Sequence, residues 1–262
     1  MFVLIGHGYV GNKIANELGR QKRAFYWNNH KDPVPSNATV IINAAGFTGK
    51  PNVDACEIYK QETVDGNVTF PLKLEQANRD TPIIHISSGC VYDGYVDNGY
   101  KETDPPNFTF NNGSFYSGSK ALAQELLMPY MNKSYLFRIR LPFCSEHTQK
   151  NLLTKYENYN KLINCRNSLT NMEEIAQLIV YFAKNLPTPG IYNACNPGSM
   201  TTREIVDMMG LTKDYFTDEE FQSVSKTPRS NCVLNSDKIC KVYPLTDIKT
   251  IMAKTVKQYM GR

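Results

Sequence analysis

The sequence lacks the features that mark membrane proteins and nucleic-acid-binding proteins. No apolar run approaches the ~20 residues of a membrane span. Lys and Arg are scattered rather than grouped into a block, and the 262-residue chain has a net charge of +4. We therefore expect no membrane contact and no nucleic-acid partner. Residues 1–5 have the pattern of a strand rather than of a signal peptide, which predicts a cytoplasmic protein.

Metal-binding cysteine patterns and repeats are also absent. The seven cysteines form no C-x-x-C pair and have no metal-ligand spacing, so we expect reduced thiols and no metal site. The chain contains no internal repeat and no low-complexity segment. Its length suits one large α/β domain, or one domain with a small lobe.

A glycine-rich turn follows the first predicted strand and opens a helix. In a G-x-G-x-x-G turn, the first glycine permits the turn, the second lets the backbone approach a pyrophosphate, and the third lets the helix pack on the strand. The amides and the dipole at the helix start favour phosphates. The spacing predicts a dinucleotide site, and we assign its contacts to Gly6, His7, Gly8, Tyr9, Val10 and Gly11.

The second predicted strand, 24–27, is followed by polar and cationic residues. An acidic residue in this region usually holds the ribose 2′-hydroxyl of NAD, but the first one here is Asp32. Asn28, His30 and Lys31 precede it, which favours NADP(H), and we assign Asn28 to the cofactor site.

The third predicted strand, 39–42, begins about a dozen residues after the second. A crossover helix with its loops needs ~10–12 residues, so we expect this unit to be abbreviated. The third strand ends where a parallel sheet places its ligand crevice. We therefore add the four residues at this strand end to the cofactor site: Asn43, Ala44, Ala45 and Gly46.

The stretch 86–120 carries the candidate catalytic residues. Ser88 lies at the end of a short apolar strand, 82–86, and a predicted helix, 116–131, follows a loop rich in Gly, Pro and Asn. Tyr116 and Lys120 are one helical turn apart and share a face. We expect the Lys120 ammonium to lower the pKa of Tyr116 from ~10, as a proton donor to a ketone requires. Ser88 could hydrogen-bond the same oxygen.

The remaining pattern completes a Rossmann-like doubly wound parallel sheet with a small C-terminal substrate-binding lobe. We expect residues 1–145 to form an NADP-binding domain with the catalytic Ser, Tyr and Lys. Residues 146–262 would form mainly the small lobe, with about 168–195 returning to the first domain. Further strands are predicted at 135–140 and 190–194, and helices at 54–61, 67–78, 168–184 and 247–260, with a capping box at Thr201 and Glu204.

Several segments together resemble the extended short-chain dehydrogenase/reductase superfamily. Within it, they are similar to the nucleotide-rhamnose synthase/epimerase-reductases, which are UDP-4-keto-6-deoxyglucose 3,5-epimerase/4-reductases related to dTDP-4-dehydrorhamnose reductase. The glycine turn is one residue shorter than the G-x-x-G-x-x-G of that family, which leaves open which of its residues contact the pyrophosphate. The resembling segments are 43–54, 88–90, 106–109, 113–117 and 228–231.

The resemblance implies a reductase half and an epimerase half in one pocket. In the first half, NADPH reduces the C4 ketone while Tyr116 gives a proton, Ser88 polarises the carbonyl, and Lys120 supports Tyr116 and the nicotinamide ribose. In the second half, protons leave C3 and C5 and return on the opposite face. The implied acid/base residues are Cys90, which strand alternation would place on the side of Ser88, and Lys155.

The sugar nucleotide is expected to contact Ser88, Cys90 and five further residues. An arginine suits the diphosphate because its guanidinium donates two parallel hydrogen bonds. We expect Arg138 and Arg140, in contrast, to be structural. The five further candidates are Lys50, Asn52, Asn107, Arg229 and Asn231.

Other interpretations of these residues stay open. Cys90 could be an inert buried side chain and Lys155 a surface lysine. The protein could be a 4-reductase only, resembling dTDP-4-keto-rhamnose reductases, or a GDP-fucose synthase, or a non-catalytic regulatory subunit that binds NADP. The resemblance further implies a homodimer and a separate 4,6-dehydratase that supplies the substrate.

Overall fold

A computed structural model describes residues 1–50, 52–225 and 227–261. A six-stranded sheet forms its centre, with the strand order β10-β5-β4-β3-β1-β2 and parallel pairing throughout. This confirms the predicted fold class. The strands are β1 Phe2–Ile5, β2 Phe25–Asn28, β3 Val40–Asn43, β4 Ile83–Ser88, β5 Tyr135–Ile139 and β10 Gly190–Asn193.

The chain reverses its direction of winding between β1 and β3. From β1 it moves to β2 on one side, and it then returns to place β3 on the other side of β1. In open α/β sheets, ligands bind in the crevice at this switch point, outside the carboxyl ends of the strands. The glycine turn follows β1 and residues 44–46 follow β3, so both predicted cofactor segments meet there.

Residues 29–39, between β2 and β3, contain no helix. The predicted abbreviation of this unit is therefore confirmed. The other connections contain helices, which are α1 Tyr9–Arg20, α2 Lys60–Val64, α3 Phe70–Ala77, α4 Phe115–Leu127, α5 Leu152–Asn158, α6 Met172–Asn185, α7 Thr202–Met208, α8 Asp218–Val224, α9 Asp237–Cys240 and α10 Ile248–Tyr259.

The helical region between β3 and β4 differs from the prediction of two separate helices. A 3₁₀ turn covers Val53–Glu57, and α2 and α3 are joined by a π-helical turn, Asp65–Thr69. Asn67 in that turn is buried, and its side chain bonds both the N–H and the carbonyl of Phe47 at 2.9 Å and the Ser119 hydroxyl at 3.1 Å. The π turn thus lets one buried side chain hold the loop after β3.

The C-terminal part of the chain contains short strand pairs and a separate apolar cluster. The cluster includes Phe143, Leu153 and Met252, whereas α6 packs with α1 in the core of the main sheet through Ile175 and Ile14. The capping box predicted at Thr201 is confirmed. The short strands are β6 Pro142–Phe143, β7 Lys161–Leu162, β8 Arg166–Asn167, β9 Thr170–Asn171, β11 Met200–Thr201 and β12 Asp214–Tyr215.

No helix within the described ranges has both the length and the apolar character that a membrane crossing requires.

Candidate active site

A cavity of about 690 Å³ lies at the carboxyl ends of β1, β3, β4 and β5. One wall comes from the start of α1, the loop after β3 and the start of α4. The rest of the lining, which we call the opposite wall, includes residues of α5, β7, β8 and the loop 229–231. The cavity therefore joins the predicted cofactor site to the C-terminal part of the chain.

The glycine turn contains two glycines that the protein's own packing requires. Gly6 has a φ of +106°, and a Cβ there would lie 2.6 Å from backbone atoms of Ala44 and Ala45. A Cβ on Gly11 would lie 1.9 Å from the carbonyl oxygen of Gly6. Both positions bring α1 close to the strand ends, as the motif predicts.

Gly8 differs, because a Cβ there would meet none of the described residues within 4 Å. Gly8 lines the cavity and is the N-cap residue of α1. No side chain among the described residues caps this helix start. The amides of the first turn are therefore free for a ligand. This open, uncapped helix start fits the pyrophosphate of a dinucleotide.

The other predicted cofactor residues around the strand ends fall into three groups. Tyr9, Val10, Ala44, Ala45 and Gly46 line the cavity together with Gly8. His7 is exposed and stacks on Trp27 at the end of β2, with ring centroids 4.7 Å apart.

Asn28 and Asn43 are buried beneath the strand ends rather than in the cavity wall. Asn43 donates to Nδ1 of His85 at 3.2 Å and accepts from the N–H of Ala45 at 3.1 Å. Asn43 is therefore engaged within the protein, where it supports the loop that lines the site. Asn28 donates to the carbonyl of Asp32 at 3.3 Å.

Ser88, Tyr116 and Lys120 all line the cavity. Ser88 ends β4, and Ser114 caps the start of α4 by accepting from the N–H of Ser117. That cap fixes Tyr116 in the first turn, with Lys120 one turn further along. The Lys120 ammonium lies 5.8 Å from the centroid of the Tyr116 ring. The structure thus brings together the three residues that the sequence nominates for ketone reduction.

The expected lowering of the Tyr116 pKa is wrong for this structure. Burial, followed by the nearby Cys90 thiol, raises the pKa of Tyr116 above its usual 10.0, while a hydrogen bond with Ser88 and the charge of Arg140 oppose this change. Burial also lowers the pKa of Lys120. Tyr116 is consequently a neutral phenol that holds its proton until an acceptor is bound.

Cys90 is close to this group, but not for the reason given by strand alternation. The strand ends at Ser88, and Cys90 lies in a 3₁₀ turn, Gly89–Val91, so that argument is wrong. Its N–H donates to Oγ of Ser88 at 3.2 Å, and its thiol acts electrostatically on Tyr116 and Lys120. Cys90 is 8 % exposed, and it is not among the described residues that line the cavity.

Lys155 lies in the opposite wall, in the second turn of α5. Asn151 caps that helix by accepting from the N–H of Leu153. Burial lowers the pKa of Lys155 below its usual 10.5, and the positive charges of Lys150 and Arg229 lower it further. A lysine of this kind exchanges protons more readily near neutral pH than a solvated one does.

Three of the five further candidates for sugar-nucleotide binding line the cavity. Asn52, Arg229 and Asn231 do so, and Arg229 donates to Oδ2 of Asp54 at 2.8 Å. Asn107 is exposed outside this wall, and its amide bonds the backbone of Asp93 and the hydroxyl of Tyr100, so the structure does not bring it to the site.

Lys50 is exposed and is likewise not among the described residues that line the cavity. Many lining residues were not nominated from the sequence. No local motif marks them, since helix α5, the loop before it and two-residue strands carry the polar ones. Examples are Lys150, Tyr156, Lys161 and Asn167.

Comparison with known proteins places this site in a family. Residues 34–242 match the model of the RmlD substrate binding domain. The chain is 38 % identical, over 97 % of its length, to a trifunctional UDP-glucose 4,6-dehydratase/UDP-4-keto-6-deoxy-D-glucose 3,5-epimerase/UDP-4-keto-L-rhamnose-reductase of Arabidopsis thaliana, of which it spans 41 %.

A second relative has a length closer to that of this chain. It is a bifunctional dTDP-4-dehydrorhamnose 3,5-epimerase/dTDP-4-dehydrorhamnose reductase of the same plant, 38 % identical over 82 % of the chain and 75 % of the relative. The crystal structure of a UDP-rhamnose synthase from Acanthamoeba polyphaga mimivirus superposes with a TM-score of 0.90 at 25 % identity, over 98 % of this chain and 99 % of that one.

These matches confirm the resemblance stated from the motifs. The chain belongs to the family defined by the RmlD substrate binding domain, and it is homologous to UDP-rhamnose synthases and dTDP-4-dehydrorhamnose reductases.

Proposed function

We propose that the protein is a bifunctional 3,5-epimerase/4-reductase that converts UDP-4-keto-6-deoxyglucose to UDP-L-rhamnose with NADPH. The observation that carries this proposal is a single cavity whose lining includes Ser88, Tyr116, Lys120 and Lys155. The names of the two plant relatives support both activities.

The reductase half uses the first wall. NADPH, held at the Gly8 turn, supplies a hydride when bound. Ser88 donates a hydrogen bond to the C4 oxygen of the sugar, and Tyr116 gives that oxygen its proton. The raised pKa of Tyr116 keeps the phenol protonated, and the cation of Lys120 stabilises the phenolate that remains.

The epimerase half needs two acid/base groups, because inversion removes a proton from one face of the sugar and returns it on the other. The C4 ketone acidifies the protons at C3 and C5. We assign one group to Lys155, whose lowered pKa increases its neutral fraction. We assign the other to Cys90, beside Tyr116, since a cysteine thiol can both give and take a proton.

The cationic end of the cavity suits the nucleotide diphosphate. Lys150, Lys161 and Arg229 line it with Asn52 and Asn231. An arginine held by a carboxylate presents its remaining N–H groups in a fixed direction, which favours bidentate contact with phosphate. We assign the diphosphate to this end and the keto-sugar to the end with Tyr116.

A 4-reductase without epimerase activity is the second candidate. The observation that favours it is the position of Cys90, which is 8 % exposed behind the cavity wall. In that case a separate epimerase would act first, and Cys90 would be an inert buried residue.

Solvent deuterium separates the two candidates. The purified protein is incubated with UDP-4-keto-6-deoxyglucose in deuterated water, with and without NADPH. The proposal predicts deuterium at C3 and C5 in both cases, and UDP-rhamnose only with NADPH. Reduction of a supplied epimerised substrate without any exchange would establish the second candidate. Cys90→Ala is expected to abolish exchange while NADPH still binds, and wild-type exchange in this variant would remove Cys90 from its role.

We further propose that the enzyme works as a cytoplasmic homodimer and receives its keto-sugar from a separate 4,6-dehydratase. Light scattering on the purified protein tests the dimer, which requires twice the chain mass of 29.7 kDa.

A further inference from the structure

Arg140 is a buried arginine that the proposed mechanism does not use. It follows β5 and is 5 % exposed. Its Nη2 donates to Oδ1 of Asn167 at 2.6 Å and to the carbonyl oxygen of Ser230. Its Nε is buried without a hydrogen-bond partner among the described residues.

The charge of Arg140 has no counterion within the described part of the chain, because none of its ion pairs includes this residue. Arg138, two residues earlier, also has no ion pair among the described residues, but Glu102 and Asp104 provide negative charge near its guanidinium. A guanidinium stays protonated in proteins, and a buried charge without a counterion is costly. Arg140 therefore carries a buried positive charge that no ion pair of the described residues neutralises.

Arg140 lies behind the reacting end of the cavity, since Ile139 and Leu141 line the cavity and Arg140 is not among the described residues that do. The Arg140 stem packs on the turn after β4, where a Cβ built on Gly89 would lie 3.5 Å from its Cδ. Burial and the Cys90 thiol raise the pKa of Tyr116, and the Arg140 charge opposes them. The other titratable groups near this phenol are Cys56, in the 3₁₀ turn after β3, and Lys120 of α4.

The hydrogen bonds of Arg140 also hold a segment of the opposite wall. Asn167 accepts from the N–H of Cys232 at 3.0 Å and donates to Oδ1 of Asn231 at 3.0 Å. Ser230, Asn231 and Asn167 line the cavity. Arg140 thus binds the loop 230–232 directly at Ser230 and indirectly through Asn167.

We propose that Arg140 is a positioning residue for the reaction proposed above: it fixes the loop 230–232 at the cavity wall, and its permanent charge stabilises the negative charge left on Tyr116 when the proton is transferred. The inference rests on the proposed function. A structural arginine at this position would serve the fold alone, without any specific effect on proton transfer.

Three variants separate the charge from the loop contacts. Arg140→Met removes both, Arg140→Lys keeps the charge but loses the forked donor, and Asn167→Ala keeps the charge but loses the indirect contact. Arg138→Lys is the matched control, because it alters a neighbouring buried arginine that bonds Gln124 and Asn193 instead.

Steady-state reduction is measured against pH for each folded variant. Arg140→Met is expected to lower kcat about tenfold and to move the alkaline limb of its pH profile upward, by up to about one unit, since the phenol becomes a weaker acid. Arg140→Lys and Asn167→Ala are expected to raise KM for the keto-sugar while the alkaline limb stays in place. An unshifted limb in Arg140→Met, or an equal shift in Arg138→Lys, would overturn the charge role.

Amide hydrogen exchange in the ligand-free protein tests the loop contacts independently of catalysis. We expect faster exchange at 230–232 in Arg140→Met and Asn167→Ala, and wild-type exchange there in Arg138→Lys. Native protection in the first two variants would overturn the positioning role. Should Arg140→Met fail to fold, Arg140→Gln, which also removes the charge but keeps an amide donor, takes its place in the kinetic measurement, and Asn167→Ala decides the loop contacts. The absence of both reduction and C3/C5 exchange of the substrate in the wild-type protein would instead refute the proposed function. The amide-exchange measurement does not depend on that function.

Discussion

The two glycines at the start of α1 provide a sharp test of the cofactor site, because they differ in what a methyl group would meet. Alanine at Gly6 would place Cβ 2.6 Å from backbone atoms of Ala44, at a φ of +106°. Alanine at Gly8 would meet no atom of the described residues within 4 Å, at a φ of −82° that any residue adopts. One substitution should therefore damage the fold, and the other should damage only ligand binding.

The magnitudes follow from these contacts. At Gly6, backbone strain of about 1–3 kcal/mol adds to overpacking of about 1–3 kcal/mol, a large part of the ~5–15 kcal/mol that stabilises a typical domain. At Gly8, the lower entropy of the unfolded chain contributes about 0.4–1 kcal/mol, and the poorer helix cap offsets it by a similar amount. Gly8→Ala should consequently be within about 1 kcal/mol of the wild type.

The two glycines should matter in the opposite order for NADPH binding, which Gly8→Ala should weaken although it leaves the fold stable. A methyl group at Gly8 keeps a diphosphate from the amides of α1, and the loss of one such charge-assisted hydrogen bond, worth about 1.5–3 kcal/mol, weakens NADPH binding about ten- to a hundredfold. Urea unfolding and fluorescence titration with NADPH measure the two effects. Native NADPH affinity in Gly8→Ala, or native stability in Gly6→Ala, would refute the reasoning.

Three further predictions concern the surroundings of the site. Burial lowers the pKa of His85 from its usual 6.5, so unfolding takes up a proton as the pH falls below that value. Stability should then decrease as the pH falls below 6.5, by at most about 1.4 kcal/mol per pH unit. His85→Gln should abolish this slope in urea titrations; equal slopes would contradict the assignment. Lys150→Met removes a nearby positive charge and should raise the pKa of Lys155. Because exchange at C3 and C5 requires neutral Lys155, the pH profile of the exchange rate should move upward by about half a pH unit. An unmoved profile would exclude Lys155 as the base. Gly46→Ala would place Cβ 3.1 Å from Oδ1 of Asn67 and 3.3 Å from the ammonium of Lys120. We expect kcat for reduction to fall about tenfold or more with little change in the exchange rate, whereas native kcat would show that both side chains tolerate the displacement.

The sequence predicted most reliably what local spacing determines. The glycine turn and the Tyr116/Lys120 pair each lie within one helical turn or one strand-to-helix connection, and both are where their spacing places them. The cofactor side of the cavity can therefore be predicted from short motifs. Its opposite wall comes from Lys150, Lys161 and Asn167, which only tertiary packing brings together.

The predictions that were wrong concern features that contacts between distant parts of the chain determine. Strand alternation holds only while the strand continues, and the chain leaves β4 at Ser88, so the position of Cys90 could not follow from it. The pKa of Tyr116 depends on burial from several elements, which outweighs the cation one turn away. The π turn places Asn67 so that it bonds Phe47, twenty residues earlier, and no local pattern marks this contact.

The central claim is that one cavity performs two separable reactions, and Tyr116→Phe tests it most directly. This variant keeps the ring but loses the proton that reduction requires. Mass and NMR analysis of UDP-4-keto-6-deoxyglucose incubated with it in deuterated water and NADPH should show deuterium at C3 and C5 at a rate close to that of the wild type, and no UDP-rhamnose. Rhamnose formation at the wild-type rate, or reduction and exchange lost together in the folded variant, would contradict the account.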